Sequence, residues 1–464
     1  MFVGREKELE RMEEMYAGGR FEMAVIYGRR RVGKTTLISK FCRNKQDVIF
    51  FPALEAEKNM NITALSGAIA EYENPGTSTY PKFDDFASIL EHVSKIGREK
   101  RLIFVIDEYP WFAESDPSVS SQLQHAIDHV MSKGKIFLIL CGSSMSFMEN
   151  QVLGTKSPLY GRRTAQFKVE ALNYRDTAKL NPQLTKEDNA RIFGVTGGIP
   201  LYACYFNGCG DFKSGLISAM LRRDSPLFEE PGNLLKQELR DPASYYALIS
   251  AIAGGASRLN EIAAKSGLNT SSCAQKISVL TELGIVDRET PIFSKEGRKS
   301  LYYVSDLLYR FWYRFIPPNS AMIQNGYGEE VCGRILESGI PSYMGAVFEK
   351  ICTQYIYQNI GRLPFFPSAI GRWWGANSET KQQEEIDIVC TDQTGESALF
   401  CECKYLSEPV GEGVLETLIF RSGLVREPLK RYYAIFSKSG FTKRLEERAK
   451  NSGALLVSLE DIYE

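Results

Sequence analysis

The chain has 464 residues, 44% hydrophobic, 24% charged and 11% aromatic, a globular composition that excludes a disordered or fibrous polypeptide and has room for about three or four domains. Lys plus Arg number 56 against 57 Asp plus Glu, so the formal net charge is -1 and no global field draws the protein to nucleic acid or membrane; any basic surface is local. With three His in the whole chain a histidine-based zinc site is excluded, and no apolar run reaches the about 18 residues of a bilayer span.

The ten Cys have no repeating spacing, and no signal-peptide apolar stretch follows Met1-Phe2-Val3-Gly4-Arg5-Glu6, so free thiols in a cytoplasm are expected. Cys401 and Cys403 form the one close pair; they are expected on opposite sides of a strand, without a shared metal.

Along the first 170 residues, short apolar runs alternate with helical patterns: Met23–Tyr27, Asp47–Phe51, Leu102–Ile106 and Ile136–Leu140. Apolar strands separated by helices predict a parallel sheet covered on both faces. The first run leads into Gly28-Arg29-Arg30-Arg31-Val32-Gly33-Lys34-Thr35-Thr36, which fits the phosphate-binding loop G-x-x-x-x-G-K-[ST] between a strand and a helix. Glycines let backbone N–H groups wrap phosphates, the helix N-terminus adds positive charge, Lys34 reaches the β- and γ-oxygens, and the Thr35 hydroxyl holds Mg²⁺. The third run ends in Asp107-Glu108, at the strand end where ligands gather in open α/β sheets. Asp107 is expected in the Mg²⁺ shell and Glu108 beside the attacking water. Ser143, after the fourth run, is a candidate γ-phosphate sensor, and Arg162 and Arg163 are candidate transition-state cations, delivered in cis or across a self-oligomer.

These motifs, with Phe2-Val3-Gly4-Arg5 ahead of the first strand, resemble the archaeal-type ATPases, which belong with the AAA+ and STAND nucleoside triphosphatases. The resemblance implies ATP and Mg²⁺ as cofactors, an adenine pocket lined by Phe2, Val3, Gly4 and Arg5, and a nucleotide-facing lid motif at Gly197-Gly198-Ile199-Pro200. From the residues alone those glycines and Pro200 read as a helix stop.

A helical lid is expected over 171–241. Residues 242–316 show three helical patterns, Tyr245–Ala251, Leu259–Ser266 and Ser271–Leu283, then two strand-like runs, Ile285–Arg288 and Ser300–Val304, a winged helix-turn-helix pattern. Asn269, Thr270, Ser271, Ser272, Gln275 and Lys276 would face nucleic acid, DNA foremost, with Arg288, Lys295, Arg298 and Lys299 on phosphates. The aromatic run Tyr309–Phe315 reads as packing rather than a base-stacking platform.

Residues 317–464 carry a second candidate chemistry. Glu385–Val389 and Ala398–Lys404 are two hairpin-spaced strands; if paired, they bring Asp387 and Glu402 to a divalent cation, with Lys404 beside them. With Glu349 on a preceding helix as a further candidate ligand, this resembles the D…E-x-K core of PD-(D/E)XK nucleases. The archaeal-type ATPases commonly have such a region after the winged helix, including the Arg372-Trp373-Trp374 pattern. The expected fold is therefore α/β: a parallel-sheet P-loop ATPase domain over 1–170, helical lid, winged helix-turn-helix, and a C-terminal α/β restriction-endonuclease-like domain over 317–464. A nucleotide switch that binds protein partners, with a catalytically silent C-terminal domain, is the alternative.

Overall fold

The computed structural model describes residues 2–76, 80, 82–294, 300–377, 380–426 and 428–464. They fall into two compact units, 1–171 and 172–464. Among them no helix is long and apolar enough to cross a membrane.

The first unit is built on a five-stranded parallel sheet: β1 (Glu22–Tyr27), β2 (Val48–Pro52), β3 (Leu102–Asp107), β4 (Ile136–Gly142) and β5 (Ala165–Lys168). Their order is β2-β3-β4-β1-β5, with every pairing parallel. β1, β3 and β4 are buried along their whole length, because helices such as Lys34–Cys42, Phe86–Glu99 and Val119–His129 cover both faces with apolar side chains. Each fully buried Ile, Leu, Val or Phe adds about 1.5–3 kcal/mol. Four of these strands stand at the expected apolar runs. The fifth, β5, was not expected: as a four-residue edge strand that alternates half-buried and exposed positions, it lacks the continuous apolar signal of its neighbours. Insertion of β4 between β1 and β3 sets Gly142 opposite Tyr27, and so places the ends of all three strands side by side.

In the second unit, helices Tyr174–Lys179, Lys186–Thr196, Pro200–Cys204, Phe212–Met220 and Glu230–Glu238 occupy the segment expected as a lid. Helices Pro242–Ala253, Leu259–Ser266 and Thr270–Glu282 follow, then an antiparallel hairpin of β6 (Val286–Glu289) and β7 (Leu301–Val304). The aromatic run lies in the Leu307–Phe315 helix and is packed inside: Phe311 is fully buried, and Trp312 Nε1 donates to the Phe228 carbonyl at 2.7 Å.

A mixed sheet ends the chain: β8 (Ala369–Ala376), β9 (Gln383–Thr391), β10 (Ser397–Lys404), β11 (Lys430–Ser437) and β12 (Leu455–Ser458), in the order β12-β11-β10-β9-β8. β8, β9 and β10 are antiparallel, while β10, β11 and β12 run parallel. The Ile340–Gln358 helix precedes the sheet, and the Glu412–Gly423 helix makes the crossover from β10 to β11. Helix Lys186–Thr196 belongs to this same unit: Tyr343 Oη donates to the Gly194 carbonyl at 2.6 Å, and Lys438 pairs with Glu187 at 3.2 Å.

One expectation is corrected. Cys401 and Cys403 are two residues apart, so both project from one face of β10 rather than from opposite faces; Cys352 lies beside both.

Candidate functional sites

The loop after β1 is shaped by its glycines. Gly28 has φ +154, and a Cβ there would lie 2.2 Å from the Val169 carbonyl oxygen. Gly33, at φ +92, leads into the Lys34–Cys42 helix, which starts without a side-chain cap; its first N–H groups are left for a ligand. Lys34 is buried, and its Nζ donates to the carbonyls of Gly28 and Arg29, both at 2.9 Å. Burial pulls its ammonium below the usual lysine range, a pull that Cys141, Glu108 and Asp107 oppose.

Thr35 Oγ1 donates to Asp107 Oδ2 at 2.8 Å. A hydroxyl and a carboxylate so converged, on a helix start and a strand end, fit a Mg²⁺ ion, which would neutralise phosphate charge there. Thr36 is exposed on the same helical turn. Glu108 takes a left-handed backbone, φ +50, an uncommon conformation for a residue with a side chain and one that clusters at functional positions. Ser143 Oγ lies 2.8 Å from each Glu108 carboxylate oxygen, and the Ser143 N–H donates to Oε2 at 3.2 Å. The candidate phosphate sensor and the candidate water-orienting carboxylate are therefore already joined.

The other residues expected here are placed as follows. Arg5 donates to the Val32 carbonyl at 3.3 Å and to the Glu170 carbonyl, so it straps the chain start to the loop. Phe2, Val3 and Gly4 are half-buried, as are Arg29, Arg30 and Arg31, with Arg31 at φ +70. Arg162 makes a two-pronged pair with Asp128, both contacts at 2.9 Å. Arg163 donates to the Leu153 carbonyl at 3.4 Å. In the second unit, Gly197 closes the Lys186–Thr196 helix in the left-handed region, and Pro200 opens the next helix, the helix-stop pattern expected of them.

The C-terminal carboxylates meet where the sheet is irregular. Pairing of β8 with β9 runs from Gly371–Val389 to Trp373–Ile386, so Asp387 and Ile388 together oppose Arg372 in a β-bulge. Pairing of β9 with β10 ends at Ile388–Cys401, and the freed Cys403 N–H donates to Asp387 Oδ2 at 2.8 Å instead. Glu402 is 4% exposed. Its Oε1 accepts from Lys404 at 2.6 Å and from Arg421 at 3.4 Å, while Oε2 is buried without a hydrogen-bond partner.

Burial, then the charge of Glu402, push the Asp387 carboxyl above the usual carboxylate range. Burial, then Asp387, do the same to Glu349. For Lys404, burial works to lower the pKa, but the hydrogen bond and charge of Glu402 hold the ammonium above the usual lysine range. The orphaned Glu402 oxygen beside Asp387 fits a divalent cation as a pair of ligands. Among the described residues, however, no group of three or more His, Cys, Asp or Glu side chains is arranged around one metal position.

Residues 2–206 match a family described as an ATPase domain predominantly from Archaea, and residues 312–413 match archaeal and bacterial proteins of unknown function. An uncharacterised protein of Methanocaldococcus jannaschii is 32% identical over 99% of this chain and 100% of its own length. The chain belongs to the archaeal ATPase family.

A second, uncharacterised ATP-binding protein of that organism is 50% identical over 46 residues, 10% of this chain and 78% of that protein. Among solved structures, a Walker-type ATPase of Pyrococcus abyssi shares the fold with TM-score 0.53 at 17% identity, over 68% of this chain and 96% of that one.

The fold brings Lys34, Thr35, Asp107, Glu108 and Ser143 together, and separately Asp387, Glu402 and Lys404. Of the residues expected to face nucleic acid, Lys276 is drawn inward, 3.0 Å from Asp241 and 4.4 Å from the Tyr245 ring centre, and Arg288 donates to Ser300 at 2.9 Å. Asn269 caps the Thr270–Glu282 helix, on which Ser271 and Gln275 are exposed. Lys295, Arg298 and Lys299 lie outside the described residues. Two partners escaped the sequence reading. Arg421 reaches Glu402 and Glu384 from the crossover helix, and Cys141 sits beside Asp107. Neither belongs to a spaced motif, so only the packing reveals them.

Proposed function

We propose that this protein hydrolyses Mg-ATP and couples its nucleotide state to a nucleic-acid-facing winged helix, residues 242–316, and to a metal-dependent nuclease-like site at Asp387, Glu402 and Lys404. In the ATPase half, Lys34 and the loop N–H groups hold phosphates, Thr35 and Asp107 hold Mg²⁺, Glu108 orients the water and Ser143 sets Glu108. Phe2 to Arg5 line the base pocket, and Arg162 or Arg163 supplies the cation once released from its present partner. In the C-terminal half the metal would polarise a phosphodiester and Lys404 would steady the developing charge.

The observation that carries the C-terminal part is the buried, orphaned Glu402 oxygen next to Asp387, since a carboxylate so placed is costly unless something occupies it. The order of that domain, a helix, three antiparallel strands, a crossover helix and a parallel strand, supports the nuclease-like reading.

The test is incubation of the purified protein with linear DNA, circular DNA and RNA, plus Mg²⁺ or Mn²⁺, with and without ATP. Cleavage is expected, lost in Asp387→Ala and in Lys404→Ala, with ATP turnover in both variants within about twofold of wild type because the sites lie in separate units. Lys404 and Arg421 already neutralise Glu402, which favours the second reading, a switch for protein partners with a silent C-terminal domain. Absence of cleavage in a preparation with full ATPase activity selects that reading.

A further inference from the structure

Arg372 lies in the β-bulge opposite Asp387, and each of its guanidinium nitrogens faces a different carboxylate. Nη2 is 3.2 Å from Glu385 on β9, Nε is 3.7 Å from Glu349 on the Ile340–Gln358 helix, and Nη1 is 3.7 Å from Glu289 at the end of β6. Nε is buried without a hydrogen bond. The backbone repeats the link to the hairpin. Ile292 N–H donates to the Arg372 carbonyl at 2.8 Å, and Ile292 and Phe293 pack against the core of the C-terminal sheet.

One cation is thus shared between the β6–β7 hairpin and the carboxylates around Asp387. Glu349 is the side chain at stake: it is near enough to Asp387 for their charges to interact, yet no three-ligand group forms among the described residues. A guanidinium and a divalent cation compete for the same carboxylate, because each neutralises it and both cannot approach it closely.

We propose that Arg372 is a positioning residue, an internal cation that withholds Glu349 from the Asp387–Glu402 pair, and that the hairpin sets its grip through Glu289. The proposal rests on the reading that this pair takes a divalent cation. Removing Arg372 frees Glu349 as a third ligand and strengthens cation binding. Removing the charge of Glu289 leaves Arg372 fewer carboxylates to share and commits it more fully to Glu349, so cation binding weakens. An event that pulls Glu289 away from Arg372 would act in the same direction, which makes the hairpin a control element of the carboxylate site.

The experiment is Mn²⁺ titration of the nucleotide-free full chain by calorimetry, with thermal melting as the folding control. Asp387→Ala tests the underlying reading: loss of binding sustains it, and unchanged binding removes it together with the proposal. Given that loss, Arg372→Met should bind Mn²⁺ about tenfold more tightly and Glu289→Gln about threefold more weakly, the scale of one charge a few ångströms away in a partly screened site. Arg372→Lys, which keeps the charge, should return most of the way to wild type. The gain in Arg372→Met should vanish when Glu349→Gln is added.

Unchanged or weaker binding in Arg372→Met overturns the proposal, as does a gain that survives Glu349→Gln. Should Arg372→Met fail to fold, Glu289→Gln decides, since Glu289 lies on a two-stranded hairpin and is half-buried: tighter or unchanged binding in that variant overturns the proposal.

Discussion

The two acidic sites of this protein use the same kinds of group in opposite ways. At the end of β1 and β3 the lysine lies against its own loop, bonded to the carbonyls of Gly28 and Arg29, and leaves Asp107 to a threonine and Glu108 to a serine. At the end of β10 the lysine lies on the acid itself, 2.6 Å from Glu402, with Arg421 at 3.4 Å, and a third cation, Arg372, faces the neighbouring Glu349. The first site holds its cation where phosphates would draw it away from neutral carbonyls at small cost. The second sets Lys404 and Arg421 on one oxygen of Glu402 and leaves the other without a partner, so a cation that bound there would share the carboxylate with them. Acidic side chains can therefore be left to neutral partners or set against counter-ions, with little difference in residue composition.

This contrast can be broken most directly at Lys34. Replacing it with Ala removes the one buried cation of the loop and should lower ATP turnover by about a thousandfold or more, measured as phosphate release at saturating Mg-ATP. Turnover near wild type would place phosphate recognition elsewhere. Glu108→Gln keeps the shape but loses the charge proposed to orient water. It should bind ATP as wild type does while hydrolysis falls about a hundredfold, which a filter-binding assay beside a turnover assay would separate.

Ser143→Ala sharpens the comparison with the smallest effect. It deletes the hydroxyl that holds both oxygens of Glu108 but leaves the backbone N–H bond in place, so a loss of about tenfold in turnover with little change in ATP affinity is expected. A loss in affinity alone would show that Ser143 acts on bound nucleotide and not on Glu108.

The two sites also differ in how visible they are along the chain. Gly28, Gly33, Lys34 and Thr35 lie within eight consecutive residues whose backbone needs are local, φ +154 at Gly28 and φ +92 at Gly33, so residue types and spacing are enough to locate them. Asp107 is legible because it ends a buried apolar strand. The pairing of Ser143 with Glu108 is not, since it depends on β4 lying beside β3, a choice made by the sheet order. In the C-terminal unit the E-x-K spacing put Glu402 and Lys404 on one face correctly, and Asp387 next to them. That Lys404 bonds to Glu402, that a bulge turns Asp387 toward the Cys403 N–H, and that Arg372 collects three carboxylates from three elements could not be read from spacing.

What the sequence by itself determined is local: four of the five parallel strands, the phosphate loop, the acidic end of β3, the three helices and hairpin after residue 242, and the two strands that carry Asp387 and Glu402. These follow from hydrophobic periodicity and from glycine and charge placement, which act over a few residues. Tertiary structure alone decided the edge strand β5, the union of 172–464 into one compact unit, and the partner of each charged side chain. The reason is physical: an ion pair forms between groups that register, bulge and helix packing bring within a few ångströms, and those depend on residues far apart in the chain.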